Sequence, residues 1–273
     1  FLADKDAGEP FSLHGKYPGF DFMSAHFFVA KAGPFRSVAL GDYSICMGQG
    51  LIQWQGYSPS KGADAIMIKK FSPVISAYRS VGECNFYRGV AMMLPLKGFT
   101  ITGFFSFRRW DARAVFDSVT GDPIYVTSVS YSGLHRTASE RAGRSLLNRI
   151  SWGACIQHEF LGWKLGVNLV NHYQDIPVLH ADDIQNLFDW RGKELHNISI
   201  DYAKTIENFH LFGELACSDG FSLAWIQGLL VSLGRGADIS FIYRNISPRF
   251  HSLQARAFTE SISPHDEKGF FSG

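Results

Sequence analysis

The run Ile150-Ser151-Trp152-Gly153-Ala154-Cys155-Ile156-Gln157-His158-Glu159-Phe160, followed by Leu161-Gly162 and then Trp163-Lys164-Leu165-Gly166-Val167-Asn168-Leu169-Val170-Asn171-His172-Tyr173, decides the fold. In the first half Trp152, Ala154, Ile156 and Phe160 share a face, opposite Ser151, Gly153, Cys155, Gln157 and Glu159. In the second, Trp163, Leu165, Val167 and Leu169 oppose Lys164, Gly166, Asn168 and His172. Successive side chains of a strand point to opposite faces, so each run predicts a strand with one apolar and one small-or-polar side. The Leu161-Gly162 step between them predicts a tight hairpin.

The same alternation extends in both directions. Upstream it predicts strands over Gly19–Lys31, Phe35–Cys46, Asn85–Leu96 and Phe99–Trp110. Downstream it predicts Asn197–Thr205, Asn208–Ser218, Phe221–Leu233, Ala237–Arg244 and His251–Glu260. Every second connection is tiny, whereas 47–84, 111–149 and 174–196 are long. A meander with tight turns at one end and long loops at the other is the pattern of a transmembrane β-barrel. The strands are about 10 to 13 residues, roughly 33–40 Å of extended chain, whereas strands of soluble sheets centre on about five or six. Trp152, Trp163, Tyr173, Tyr202, Phe209, Phe221 and Tyr243 fall near strand ends, where interfacial aromatics belong. A soluble β-sandwich binding domain, with the aromatics in its core, is the rival reading.

Composition agrees with the barrel. Only 19% of residues are charged, 15% are aromatic, and no apolar run is long enough for a transmembrane helix. A net charge of +1 gives no electrostatic reason to expect nucleic acid. The expected fold is therefore all-β: an antiparallel up-and-down transmembrane β-barrel with about eleven or twelve visible strands and one short loop helix, forming a single domain over 1–273. Because the chain opens at Phe1 and closes as Gly269-Phe270-Phe271 starts another strand, it reads as a fragment of a longer barrel.

The polar faces supply the candidate site. Arg108, Glu159, Lys164, Asp201, Glu214, Asp238 and Arg244 all fall on the side predicted to face the lumen, where they would form an ion network. Arg88 falls either in the lumen or at the outer rim. Phe221–Leu233 is partly apolar on both faces, as expected of a segment covered from inside or of a packing patch. In the 111–149 loop, Thr137-Ala138-Ser139-Glu140 is a capping box that predicts a helix over Ala138–Asn148. Cys46 and Cys84 end adjacent strands on the long-loop side, so they either form a disulfide or remain two small apolar thiols. No metal, cofactor, nucleophile-elbow or phosphate-loop spacing occurs, so no cofactor and no enzymatic activity are expected.

An ordered set of short motifs carries a family resemblance: Asp4 to Phe11, Gly41-Asp42-Tyr43, Gly48-Gln49-Gly50-Leu51, Lys61 with Ala63-Asp64, Asn85-Phe86-Tyr87-Arg88-Gly89, Gly133-Leu134-His135-Arg136-Thr137 and Glu267-Lys268-Gly269. The set resembles a poorly characterised family of large outer-membrane β-barrel proteins of Gram-negative bacteria. Members often carry an N-terminal helix-hairpin-helix region, which is absent here. The resemblance implies an outer-membrane location; a barrel there is expected to meet outer-membrane lipid and other envelope proteins, and to serve in envelope transport or as scaffold of a surface or secretion assembly. An outer-membrane hydrolase is the alternative. It singles out Asp42, Gln49, Lys61, Asp64, Asn85, Arg88, His135 and Arg136 without assigning them a role.

Overall fold

The structure is a computed structural model and describes residues 1–5, 20, 22–58, 64–234, 236–261 and 266–273. In chain order the strands are β1 (Leu2–Asp4), β2 (Phe22–Ser24), β3 (His26–Ala32), β4 (Phe35–Ile45), β5 (Ile75–Ala77), β6 (Tyr87–Leu96), β7 (Phe99–Trp110) and β8 (Ala112–Phe116). They continue with β9 (Pro123–Val129), β10 (Leu147–Phe160), β11 (Trp163–Val178), β12 (Gly192–Ile206), β13 (Phe209–Ser218), β14 (Ser222–Gly234), β15 (Ala237–Ile246) and β16 (Glu267–Ser272). One antiparallel wall runs β16-β15-β14-β13-β12-β11-β10-β7-β6-β4-β3. Nearly every neighbour in it is the next strand in sequence, which is the up-and-down connectivity. β5 pairs with β4 inside a long loop, and β8 and β9 form a hairpin beside β11.

Burial shows which way the wall faces. Phe105, Trp152, Val167, Ile200, Leu215 and Trp225 point outward and are 40–52% exposed, while Ser106, Ser151, Asn168, Ser199, Glu214 and Ser240 point inward at 3% or less. A water-soluble sheet places those two sets the other way round. An apolar outer belt around a polar, enclosed interior is the arrangement of a transmembrane β-barrel. The fold is thus an all-β, antiparallel, up-and-down transmembrane barrel. No helix among the described residues is long and apolar enough to cross a membrane, as a strand-built membrane protein requires none.

The tight turns follow from backbone chemistry. Lys97-Gly98 and Leu161-Gly162 both hold positive φ at both positions, +46° and +87° in the first and +48° and +77° in the second. Two consecutive left-handed residues make the turn whose twist matches the flanking strands.

Three expectations from sequence are corrected. His251–Glu260 is not a strand: it is irregular chain, with Ala255, Ala257 and Phe258 buried inside the barrel. The helix covers only Ala138–Ala142, capped as expected by Thr137 and Glu140. It stops because Leu147, Asn148 and Arg149 are taken by β10, opposite Trp110, Arg109 and Arg108 of β7. The loop that holds it also contains the unexpected β8–β9 hairpin. Of the two readings left open for Cys46 and Cys84, the structure has the free thiols; all four cysteines are free.

Candidate functional site

The principal feature of the interior is the 47–84 connection, which folds inward. Met47, Leu51, Ile52 and Ile68 are at most 2% exposed and join one cluster with Phe212, Ala216, Ala224, Ile226, Ile242 and Ile246 from the inner faces of β13, β14 and β15. This explains why Phe221–Leu233 reads as apolar on both sides: its outer face meets lipid and its inner face meets the inserted chain. Each fully buried Leu or Ile adds about 1.5–3 kcal/mol of transfer free energy.

Glu214 latches the insert to the wall. Its Oε2 accepts hydrogen bonds from the backbone N–H of Gln49 at 2.7 Å and of Leu51 at 3.1 Å, and the residue is fully buried. Gly48 makes this approach feasible. Its φ is +53°, and a Cβ there would lie 2.6 Å from the Glu214 carboxyl carbon. The Gln49 side-chain oxygen in turn accepts from the Lys70 N–H at 3.0 Å, closing the insert on itself. Lys70 Nζ donates to Ser58 and lies 5.8 Å from the centre of the Trp54 ring. Burial, with the Arg256 charge nearby, pushes the Lys70 amine down to about 8.

The 247–261 connection locks the insert from a second side. Trp54 N–H donates to Gln254 O at 2.8 Å, Arg256 N–H to Gly50 O at 2.9 Å, and Ser252 Oγ to Ile52 O at 2.7 Å. Gln53 accepts from the Tyr87 hydroxyl at 2.6 Å, and Asn85 donates to Gln55 O at 2.9 Å, tying the insert to β6 and its approach. Together the two loops form a plug held by backbone hydrogen bonds rather than by packing alone.

The seven predicted lumenal residues separate into groups. Glu159 and Lys164 face each other at 3.2 Å at the short-turn mouth, 72% and 71% exposed, and Asp238 is exposed at the same end. Asp201 and Glu214 are opposite each other in the β12–β13 ladder below the plug, with Asp201 accepting from Asn168 at 2.8 Å. Arg244 joins Glu260 and Glu267. Arg108 donates to the carbonyls of Glu83, Cys84 and Phe86.

The resemblance positions fall in three places. Gln49 and Asn85 serve the plug, and Asp64 precedes its short 3-10 turn, Ala65–Ile68. Asp42 and Arg88 make a two-pronged ion pair at 2.6 and 2.8 Å on the outer face of β4 and β6, where Arg88 also reaches Met23 O. His135 bonds Asp111 at 2.8 Å at the loop-side rim, and the Arg136 N–H bonds Glu140. Arg88, Arg108, Asp111 and His135 border one rim cavity of about 330 Å³. Lys61 lies outside the described residues.

The interior also contains Ser151 Oγ and His172 Nδ1 at 2.8 Å. Both are buried, and His172 Nε2 has no hydrogen-bond partner, so no carboxylate orients the ring as an acyl-transfer triad requires. Among the described residues no group of His, Cys, Asp and Glu is placed to hold a metal.

These features define a transmembrane β-barrel with an occupied lumen. No family model and no curated protein matches the chain. Among solved structures it is similar to OmpTdeltaL8, a loop L8 deletion mutant of OmpT, an outer membrane protein of Vibrio cholerae. The two share 10% identity at a TM-score of 0.37, over 77% of this chain and 70% of that one. The chain's own ladder and its exposed apolar belt, rather than this likeness, define the fold.

Proposed function

We propose that the chain is an outer-membrane β-barrel closed at rest, serving as a membrane-embedded scaffold for a surface or secretion assembly. The observation that carries this reading is the Glu214 latch. A carboxylate committed to two backbone amides of the insert, beneath a second loop bonded to the same insert, belongs to a lumen built to be filled. The motif resemblance supports the outer-membrane location. Planar-bilayer recording of the full chain tests the closed state: the expected result is no steady conductance, with channels appearing once residues 48–70 are deleted. Steady conductance of the intact protein would overturn it.

A gated-transport reading has one observation in its favour. Below the plug the short-turn mouth is polar and accessible, with Glu159, Lys164 and Asp238 exposed and Lys69 bonded to His210 at 2.6 Å. That reading expects conductance that begins on addition of a solute or on a voltage step. The scaffold reading expects none, and expects a defined stoichiometric partner to remain bound after extraction in mild detergent.

A further inference from the structure

Arg149 is 2% exposed, on the inner face of β10, and its Nε and Nη1 have no hydrogen-bond partner. Its one hydrogen bond is a long contact of Nη2 to Gln174 Oε1 at 3.4 Å. In the ladder it stands directly opposite Gln174 on one side and Arg108 on the other. Arg108 is also inward-facing, and the two guanidinium carbons lie 4.3 and 4.6 Å from the centre of the Trp110 ring. Like charges directly opposite in a sheet repel, and a buried charge without a partner costs several kcal/mol.

Neither arginine is hydrogen-bonded to a carboxylate. Of the acids around them, Asp42 pairs with Arg88, Asp111 with His135 and with the Ser145 N–H at 2.7 Å, and Glu83 meets Arg108 through its backbone carbonyl. The surrounding inner face is rich in donors. Gln174 Nε2 and His172 Nε2 are buried and partnerless, and His172 stands one inward position along β11 from Gln174. Tyr87 closes the patch from β6 with its hydroxyl directed to Gln53. The Trp110 ring does not satisfy Arg149, because a cation–π contact leaves its Nε and Nη1 N–H groups without an acceptor.

We infer that Arg149, with Gln174 and His172, forms a buried binding site for a small inorganic anion of chloride size inside the barrel, between the plug and the loop-side roof. An anion there satisfies the orphan donors and screens the Arg108–Arg149 repulsion. The small size follows from the burial: Arg149, Gln174 and His172 are at most 2% exposed, and the 330 Å³ rim cavity is lined by Arg108 but not by Arg149.

The test uses the full chain in detergent, titrated with sodium chloride against sodium gluconate at constant ionic strength. The expected result is a Tm that rises with chloride and saturates, because a ligand of the folded state stabilises by mass action. Arg149→Gln should weaken half-saturation by at least about tenfold, the loss of one charge-assisted hydrogen bond. Arg149→Lys should retain part of the response. A Tm that follows ionic strength regardless of the anion would overturn the inference. Should the variants fail to fold, crystals of the unaltered protein grown in sodium bromide decide it. An anomalous bromide peak beside Arg149 supports the site, and a peak absent there, with water in its place, overturns it.

Discussion

Replacing Glu214 tests how the lumen is kept closed. Glu214→Ala leaves the N–H groups of Gln49 and Leu51 buried without an acceptor. Each stranded donor costs about 1–3 kcal/mol, so the latch loses about 2–6 kcal/mol, with water entry placing the result in the lower half of that range. Glu214→Gln keeps the shape and one acceptor oxygen but loses the charge, at about 1 kcal/mol per bond and about 2 kcal/mol in all. Amide hydrogen exchange resolved to residues 48–52 reads this directly. At 1.4 kcal/mol per factor of ten, protection should fall about thirtyfold in the Gln variant and further in the Ala variant. Bilayer recordings of Glu214→Ala should show transient openings. Unchanged exchange over 48–52, with the barrel otherwise intact, would refute the latch.

Other consequences follow from the same geometry. Gly48→Ala should destabilise the plug by about 1–2 kcal/mol or more, since φ of +53° disfavours a Cβ that must also displace the Glu214 carboxyl; chemical unfolding checks it. Lys70 has a folded-state pKa of about 8, below the 10.5 of the free amine. Between those pH values the unfolded chain binds more protons, so stability should rise as pH rises through this window, by up to about 3 kcal/mol, and Lys70→Met should flatten the pH profile. Burial raises the Cys84 thiol to about 11, so at pH 8 iodoacetamide should modify it far more slowly than an exposed cysteine, as mass spectrometry would show. Ile200→Arg places a charge midway along an outward face of β12 and should cost about 2–4 kcal/mol of membrane stability; a soluble sheet would tolerate it at that half-exposed site.

Much of the wall was legible because a strand between lipid and lumen writes its environment into alternate residues. Trp152, Ile156, Leu165 and Val167 against Ser151, Cys155 and Asn168 needed no tertiary information. Alternation fails where both faces are apolar, and Phe221–Leu233 displayed that condition: it read either as covered from inside or as a packing patch, with no sign that the 47–84 loop covers it. Leu51, Ile52 and Trp54 were the available signal, three large apolar side chains in what reads as an outer loop. His251–Glu260 deceived for the opposite reason, since Leu253, Ala255 and Ala257 alternate with Ser252, Gln254 and Arg256 yet lie in irregular chain within the lumen. The helix was overextended because its cap is local, whereas its end is set by pairing with Trp110 far along the chain.

Alternation assigns Arg108, Glu159 and Glu214 to one face of their strands, but sequence cannot show height along a barrel. Glu159 and Lys164 meet across a tight turn, while Glu214 finds its partners in Gln49 and Leu51, more than 160 residues away. Arg149 directly follows the helix expected over Ala138–Asn148, and nothing in the sequence marks it out. Its significance lies in what surrounds it, and only the ladder places it opposite Arg108 and Gln174.

The central claim is an inside-out barrel with a filled lumen, and fluorescence of single-tryptophan variants in vesicles with brominated acyl chains tests it most directly. Trp152 points outward at 47% exposed, while Trp54 lies in the plug at 2%. The account predicts strong quenching of Trp152 by the brominated chains and none of Trp54, with Trp54 also shielded from aqueous iodide. Equal quenching of both, or quenching of neither by the lipid together with ready access of iodide to Trp54, would contradict it.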